Sequence, residues 1–166
     1  LNGKEHSIHM NQQLEASLDA LSAQWQNGIC PGAQILIRQG GQVLYEKSFG
    51  YANLEHQIPI TSESIFHVAS ISKQFTVLPI LLLWKDGLLN LDDDIRSYVS
   101  DLIYFQEPVT IRQMMNNVSG LRDQWELLFM RGIKINDSIS MEDVNTTLRM
   151  QRHLNFPPQS AYLYSN

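Results

Sequence analysis

The first clear pattern along the chain is a stripe of apolar residues near its N-terminus. The stripe has the three- and four-residue spacing of one helical face, at Leu14, Leu18, Leu21 and Trp25. Asn27 and Gly28 follow, and these residue types commonly end a helix. The pattern predicts an amphipathic helix whose apolar face covers another element of the fold.

A β-hairpin is predicted next. Two segments of strand-forming residues, AQILIRQ and QVLYEKSF, flank Gly40 and Gly41. Because two glycines can adopt the positive φ angles of a tight turn, residues 33–49 are predicted to pair as antiparallel strands. A two-stranded hairpin is only marginally stable alone, so we expect the first helix to pack on it.

The middle of the chain predicts a long apolar helix. After a predicted loop over residues 50–64, this helix runs from about Ser70 to Lys85. Pro79 falls inside it, where proline removes a backbone hydrogen bond, tends to kink the helix and costs it ~3 kcal/mol. The surroundings of the helix must tolerate that kink.

The remainder of the chain predicts short helices joined by loops. Three segments have helical character: DDDIRSYVSDL, TIRQMMNN with Thr110 as its N-cap, and SMEDVNTTLRMQRHL beginning at Ser140. From about residue 61 onward we therefore expect a mainly helical region, with no strand pairing inside residues 85–155. A helix, a hairpin and then helices indicate an α+β fold.

Composition narrows the class of protein. A chain of 166 residues, 43% of them hydrophobic, predicts one domain spanning residues 1–166. The net charge of −5, without a basic cluster, argues against a nucleic-acid partner. Cys30 is the only cysteine, so no internal disulfide can form, and the longest apolar run, Val77 to Trp84, is too short for a membrane span. The chain begins with Leu1, which is compatible with a processed N-terminus.

The candidate chemistry lies in FHVASISKQF, where Ser70 precedes Lys73 by one helical turn. Both side chains can point at the same spot, and a neutral lysine can take a proton from a serine that attacks a carbonyl. With 15 serines and five lysines, chance supplies roughly half of one such pair, so the motif taken alone favours a solvated helix face over a catalytic pair. Its position at the start of a bulky apolar helix favours catalysis, because free N–H groups there can hold an oxyanion.

Other candidate sites are weaker. Asp92, Asp93 and Asp94 fit helix capping better than a metal site, so no metal or cofactor is predicted. The five histidines belong to no recognisable metal-ligand set or catalytic triad. They are His6, His9, His56, His67 and His153. Ser119 lies in VSGL, which predicts a turn and lacks the G-x-S-x-G pattern of a nucleophile elbow.

Three ordered segments carry a family resemblance. They are PGAQILIRQGGQVLYEKSFGYANLEHQIPITSESIFHVASISKQFT, IRQMMNNVSGLRD and LNFPPQSAYLYSN. Together they resemble the N-terminal half of the penicillin-recognising serine hydrolases. The closest group is the class C β-lactamases with their D-alanyl-D-alanine carboxypeptidase and esterase relatives. The likeness extends from about Cys30 to Asn166, and it implies the N-terminal portion of a β-lactamase/transpeptidase-like fold with an incomplete sheet.

The resemblance assigns roles to four residues. Ser70 is implied as the acylated nucleophile and Lys73 as its proton partner. Tyr164 and Asn166 form a Y-x-N element, in which the tyrosine relays the proton to the leaving group and the asparagine binds the substrate amide and orders the lysine. A second Y-x-N at residues 51–53 follows the hairpin directly and does not match the family's order.

The chain departs from the family pattern in three places. Relatives often have histidine and threonine before S-G-L, where this chain has Asn117 and Val118. Pro79 lies within the nucleophile's own helix. The sequence stops at Asn166, whereas the family continues into strands that line the site. We therefore expect a truncated chain that associates through the open edge of its hairpin, with a second copy or a C-terminal half, or that is only partly folded.

The sequence leaves several functions open. The first hypothesis is a serine hydrolase that forms an acyl-enzyme with a small-molecule or peptide substrate: a β-lactam, a D-alanyl peptide or an ester. The alternatives are a non-catalytic penicillin-binding or sensor paralogue and an inactive N-terminal fragment. The resemblance also implies a periplasmic or secreted location.

Overall fold

A computed structural model of the protein describes residues 2–26, 30–99, 105 and 107–166. Five helices and four strands are defined: α1 Asn2–Ser22, β1 Ala33–Gln39, β2 Gln42–Phe49, β3 Tyr51–Asn53, β4 Ile58–Pro59, α2 Ser72–Lys85, α3 Ile111–Met115, α4 Gln124–Met130 and α5 Met141–Arg149. Short 3₁₀ turns lie at Ala23–Trp25, Ala69–Ile71 and Ile95–Ser97. The described chain divides into two compact units, Leu1–His67 and Val68–Asn166. The single-domain organisation stays a prediction.

The unit Leu1–His67 contains the predicted helix and hairpin. β1 and β2 pair antiparallel through a turn at Gly40 and Gly41, whose φ angles are 56° and 80°. Positive φ at both positions is the geometry that matches the twist of the strands, and it confirms the predicted hairpin. The register shifts between Ile37 and Arg38, a bulge that bends the pair.

Helix α1 packs on strand β2, as predicted. Asp19 of α1 accepts a hydrogen bond from the Tyr45 hydroxyl at 2.7 Å and bonds the Lys47 ammonium at 2.7 Å. Trp25, just after α1, lies 6.4 Å from the ring of Phe49, and both Tyr45 and Phe49 are buried. The predicted helix end at Asn27 and Gly28 lies outside the described residues.

Residues 50–64 are not simply a loop. Their chain contains β3 and β4, which pair antiparallel as a second two-stranded sheet. Strands of three and two residues are too short to show an alternating pattern, so the sequence carried no signal for them.

The regular elements of the unit Val68–Asn166 are helices joined by long loops; its described residues within 85–155 contain no strand and one isolated bridge, between Asp94 and Thr110. α3 and α5 begin with complete capping boxes at Thr110 and Ser140. α4 was not predicted; its N-cap is Asp123, and its Leu128 is fully buried. A small core of Ile95, Phe105 and Val109 holds the loops together, with Ile111, Leu121 and Leu154 packed on it.

The helix predicted for DDDIRSYVSDL is wrong over its described residues. Only a 3₁₀ turn, Ile95–Ser97, forms there. Asp94 and Thr110 form an isolated antiparallel bridge, and the Ile95 N–H bonds the Val109 carbonyl at 2.9 Å. Because the backbone of residues 94–95 is bonded to residues 109–110, it is not available for the hydrogen bonds of a longer helix. Residues 100–102 lie outside the described part.

Helix α2 is apolar yet exposed. It continues through Pro79 to Lys85, and none of its residues is buried. Among the described residues, no helix combines the length and the apolar character that crossing a membrane requires.

The turn at Gly41 yields a stability prediction. Gly41→Ala should lower the free energy of unfolding by about 1 kcal/mol, because alanine resists positive φ. The cost is conformational, since an added Cβ at Gly41 meets no atom within 4 Å. Gly41→Asn is the matched control, and its free energy of unfolding should fall less, because asparagine tolerates this conformation. Urea unfolding monitors both variants; equal losses for alanine and asparagine would contradict the conformational explanation.

Candidate active site

Ser70 and Lys73 lie where a 3₁₀ turn runs into helix α2. Ser70 belongs to the turn Ala69–Ile71, and Lys73 is in the first turn of α2. The Lys73 ammonium lies 3.1 Å from Ser70 Oγ, which confirms the predicted proximity. Ala69 has a φ of 45°, a left-handed conformation that a non-glycine residue adopts at an energetic cost. The strained residue therefore immediately precedes the candidate nucleophile.

Tyr164 and Asn166 reach the same point from the other end of the sequence. The Lys73 ammonium lies 2.5 Å from the Tyr164 hydroxyl oxygen and 2.6 Å from Asn166 Oδ1. The Tyr164 hydroxyl also lies 2.7 Å from Ser70 Oγ. An ammonium has three N–H donors, and here it meets three oxygen acceptors. The structure thus brings together all four residues that the sequence singled out.

The hydroxyl of Tyr164 is electrostatically perturbed. The hydrogen bond from Lys73 and then that with Ser70 lower the pKa of Tyr164 below its usual value. The Lys73 ammonium also lies 4.7 Å from the centroid of the tyrosine ring. A positive neighbour favours the ionised form of a phenol, so Tyr164 is a candidate proton acceptor as well as a donor.

The segment that carries Tyr164 and Asn166 has no helix or strand of its own. Its backbone N–H groups bond the turn at residues 117–120: Leu163 to the Asn117 carbonyl at 3.0 Å, Gln159 to the Val118 carbonyl at 2.8 Å and Asn155 to the Gly120 carbonyl at 2.7 Å. The side chain of Asn117 adds a bond from the Ser165 N–H at 3.2 Å. The turn is therefore the scaffold for the Y-x-N element.

The Asn117–Val118 departure leaves this scaffold intact. Asn117 has a φ of 56°, which asparagine tolerates better than most residues. Gly120 has a φ of 75°, and a Cβ there would lie 2.2 Å from the Phe156 carbonyl oxygen. Only glycine allows the two backbones to approach this closely.

Asp123 is a site residue that the sequence reasoning missed. One carboxylate oxygen accepts the N–H groups of Trp125 and Glu126 at the start of α4, at 2.8 and 3.2 Å. The other accepts the backbone N–H and the side-chain Nδ2 of Asn166, both at 2.7 Å. Burial acts to raise the pKa of Asp123, but the bonds from Asn166 and α4 outweigh it and lower that pKa. The D-x-x-E spacing to Glu126 was the available signal, because it is typical of a helix N-terminus.

The weaker sequence candidates have structural partners. Asp92 pairs with Arg112, Asp94 with Arg96, and Asp93 accepts a bond from the Tyr98 hydroxyl. Ser119 is buried, and its hydroxyl accepts the Leu121 N–H. The Asn53 side chain of the rejected Y-x-N copy accepts the His56 N–H. Within the described ranges, no three metal-binding side chains cluster.

The chain is similar to known proteins in both sequence and structure. The sequence pattern of the Beta-lactamase family matches residues 18–166. The chain belongs to the Beta-lactamase family. This beta-lactamase-family chain is 33% identical over 161 residues to a D-aminopeptidase of Gluconobacter oxydans, covering 96% of the chain and 29% of that enzyme. The chain spans only about 29% of the length of the first curated relatives that it matches.

Solved structures confirm the predicted fold class. EstCE1, described as a hydrolase with promiscuous acyltransferase activity, matches with a TM-score of 0.80 at 24% identity, over 94% of this chain and 44% of its own. That identity supports a shared fold only. An octameric penicillin-binding protein homologue from Pyrococcus abyssi matches with a TM-score of 0.67 at 26% identity, over 95% of this chain and 36% of its own. The chain has the α+β fold of these proteins, with small, open sheets.

The contact between Lys73 and Tyr164 yields a titration prediction. Because the ammonium stabilises the phenolate, Tyr164 should ionise at a lower pH than a free tyrosine. Lys73→Met removes the donor and should move this ionisation back to higher pH, whereas Lys134→Met should leave it unchanged. Ultraviolet difference absorbance of tyrosinate, with Tyr164→Phe subtracted, isolates the signal. An unchanged Tyr164 titration in Lys73→Met would refute the interaction.

Proposed function

We propose that this chain carries the nucleophile and proton-transfer groups of a serine hydrolase that forms an acyl-enzyme. The observation that carries the proposal is the convergence of Lys73 on Ser70, Tyr164 and Asn166 within 3.1 Å. Four polar side chains from residues 70–73 and 164–166 have no structural need to meet at an exposed surface. Membership of the Beta-lactamase family supports the same conclusion.

The proposed reaction begins when Ser70 Oγ attacks the carbonyl carbon of the substrate. The hydroxyl proton passes to the Lys73–Tyr164 pair, whose tyrosine oxygen is 2.7 Å from Ser70 Oγ. The bond between the carbonyl carbon and the leaving group then breaks as Tyr164 donates a proton to that group, and the new C–O bond to Ser70 remains as an ester. Water hydrolyses this ester, releases the acid and restores the serine hydroxyl.

Asn166 has a second donor available for the substrate. Its Oδ1 accepts from Lys73 and one Nδ2 proton bonds Asp123, which leaves the other Nδ2 proton for a carbonyl oxygen. We propose acyl compounds with an amide beside the scissile bond, such as a β-lactam or a D-alanyl peptide, as the substrate class, with simple esters as further substrates. The D-aminopeptidase relative supports a peptide-like substrate.

A test of the proposal is covalent labelling of Ser70. Intact mass should increase by one acyl group after exposure to a chromogenic β-lactam or an activated ester, and Ser70→Ala should abolish the increase. The labelling rate should fall as pH decreases, because protonation of Tyr164 removes the acceptor. Ser138→Ala, at an exposed serine outside the site, is the matched control and should label normally.

Three results separate the hypotheses. An adduct that forms and then clears supports a hydrolase. A stoichiometric adduct without turnover favours the penicillin-binding or sensor alternative. No adduct with either probe would contradict the acyl-enzyme proposal and favour an inactive fragment.

We also propose that the apolar face of α2 mediates association, either with a second copy or with a C-terminal half of the same fold. Phe75, Leu78 and Leu82 follow the spacing of one helical face, and each is more than half exposed. An exposed apolar stripe of this kind commonly marks an interface. The octameric homologue supports self-association.

The association proposal predicts the mass of the chain in solution. The purified chain should exceed 19.0 kDa by light scattering, and a Phe75→Ser, Leu82→Ser double variant should have a smaller mass. Met130→Ser also removes an exposed apolar side chain, outside α2, and should leave the mass unchanged. A well-folded monomer for the unmodified chain would contradict self-association, and the proposal would then require the C-terminal half.

A further inference from the structure

The side-chain amide of Asn166 has a charged group on each side. Its Oδ1 lies 2.6 Å from the Lys73 ammonium, and its Nδ2 lies 2.7 Å from the Asp123 carboxylate. A flipped amide would place two donors against each other at Lys73 and two acceptors against each other at Asp123. The two charges therefore select one orientation of the amide.

Asp123 is itself held firmly. It is 9% exposed, and the N–H groups of Trp125 and Glu126 fix the carboxylate oxygen that does not contact Asn166. The other oxygen accepts both the backbone N–H and Nδ2 of Asn166. Asp123 thus restrains the main chain and the side chain of Asn166 together.

The restraint acts on Asn166 and only indirectly on Tyr164. Asn117 accepts the N–H groups on both sides of Tyr164, from Leu163 and Ser165. The scaffold therefore has two separate anchors: Asn117 for the tyrosine and Asp123 for the asparagine. Loss of Asp123 should free the Asn166 amide while the neighbours of Tyr164 keep their bonds.

We propose that Asp123 is a positioning residue that fixes the amide orientation of Asn166, so that its oxygen holds Lys73 and its free N–H faces the substrate. The effect on catalysis rests on the proposed function. Asp123 transfers no proton and touches no reacting atom; it acts through Asn166. Asp123 also caps the N-terminus of α4, so a test must separate this capping role from the positioning of Asn166.

Asp123→Ser makes that separation. Serine is as good an N-cap as aspartate, but its single oxygen cannot reach both α4 and Asn166. The helix should stay capped, while Asn166 loses its acceptor. We expect the urea midpoint to change little and the acylation rate to fall roughly 10- to 100-fold, as for a misplaced catalytic group. Ser140→Ala removes the cap of α5 instead, and it should cost stability without slowing acylation.

An Asp123→Ser variant that acylates at the unmodified rate would overturn the proposal. If that variant does not fold, Asp123→Asn takes its place, because it keeps the shape but must present an N–H to one of its two partners. Slow acylation in folded Asp123→Asn supports positioning, and an unmodified rate overturns it.

A second readout does not depend on activity. The side-chain amide of Asn166 gives its own NMR signals, assigned by their loss in Asn166→Ala. A bond to a carboxylate should slow hydrogen exchange of this amide in the unmodified chain, and Asp123→Ser should accelerate it while Ser140→Ala should not. If no variant acylates, the proposed function fails while the exchange rates still test the positioning. Equal exchange in the unmodified chain and Asp123→Ser would overturn it.

Discussion

The candidate site depends on one charge and three oxygens. The ammonium of Lys73 donates hydrogen bonds to Ser70, Tyr164 and Asn166. Tyr164 and Asn166 lie more than 90 residues further along the chain than Lys73. A lysine suits this position because its three N–H donors diverge from one nitrogen and can each meet one of the three oxygens. The donors of arginine lie in one plane on three nitrogens. The hydrogen bond from Lys73 to Tyr164 also lowers the pKa of the tyrosine, so one contact affects both the position of the ammonium and the proton affinity of the phenol.

The rest of the unit Val68–Asn166 keeps these oxygens in place. The turn at residues 117–120 accepts backbone bonds from the C-terminal segment, and Asp123 accepts two more from Asn166. Asp123 also caps helix α4, so the same carboxylate bonds both the first turn of that helix and Asn166 of the site. The arrangement explains why a segment without secondary structure can present Tyr164 and Asn166 in a defined geometry.

Much of this arrangement could be predicted from the sequence. The hairpin turn at Gly40 and Gly41 and the caps at Thr110 and Ser140 rest on local chemistry, which a short segment contains in full. The spacing of Ser70 and Lys73 is equally local. Tyr164 and Asn166 needed the family resemblance, because nothing in their own neighbourhood specifies a partner 91 or 93 residues away.

The parts that could not be predicted depend on contacts between distant segments. The helix predicted for residues 92–102 was wrong over its described part, residues 92–99, because the bridge between Asp94 and Thr110 overrides local helical preference. Asp123 had a capping signal, but its bond to Asn166 requires the chain to return after 43 residues. Strands β3 and β4 are too short for any periodic signal.

The attachment of the C-terminal segment, residues 155–166, determines how the site comes apart during unfolding. It is joined to the turn at 117–120 by a few hydrogen bonds and lacks the internal bonds of a helix or sheet. Such a segment can open locally at a free-energy cost below that of global unfolding. Detachment of residues 155–166 would remove Tyr164 and Asn166 from Lys73 while α2 and the small core persist. Mild denaturant should therefore abolish the proposed labelling of Ser70 before the helical circular dichroism signal falls, so that loss of labelling reports the detachment of this segment before the whole chain unfolds.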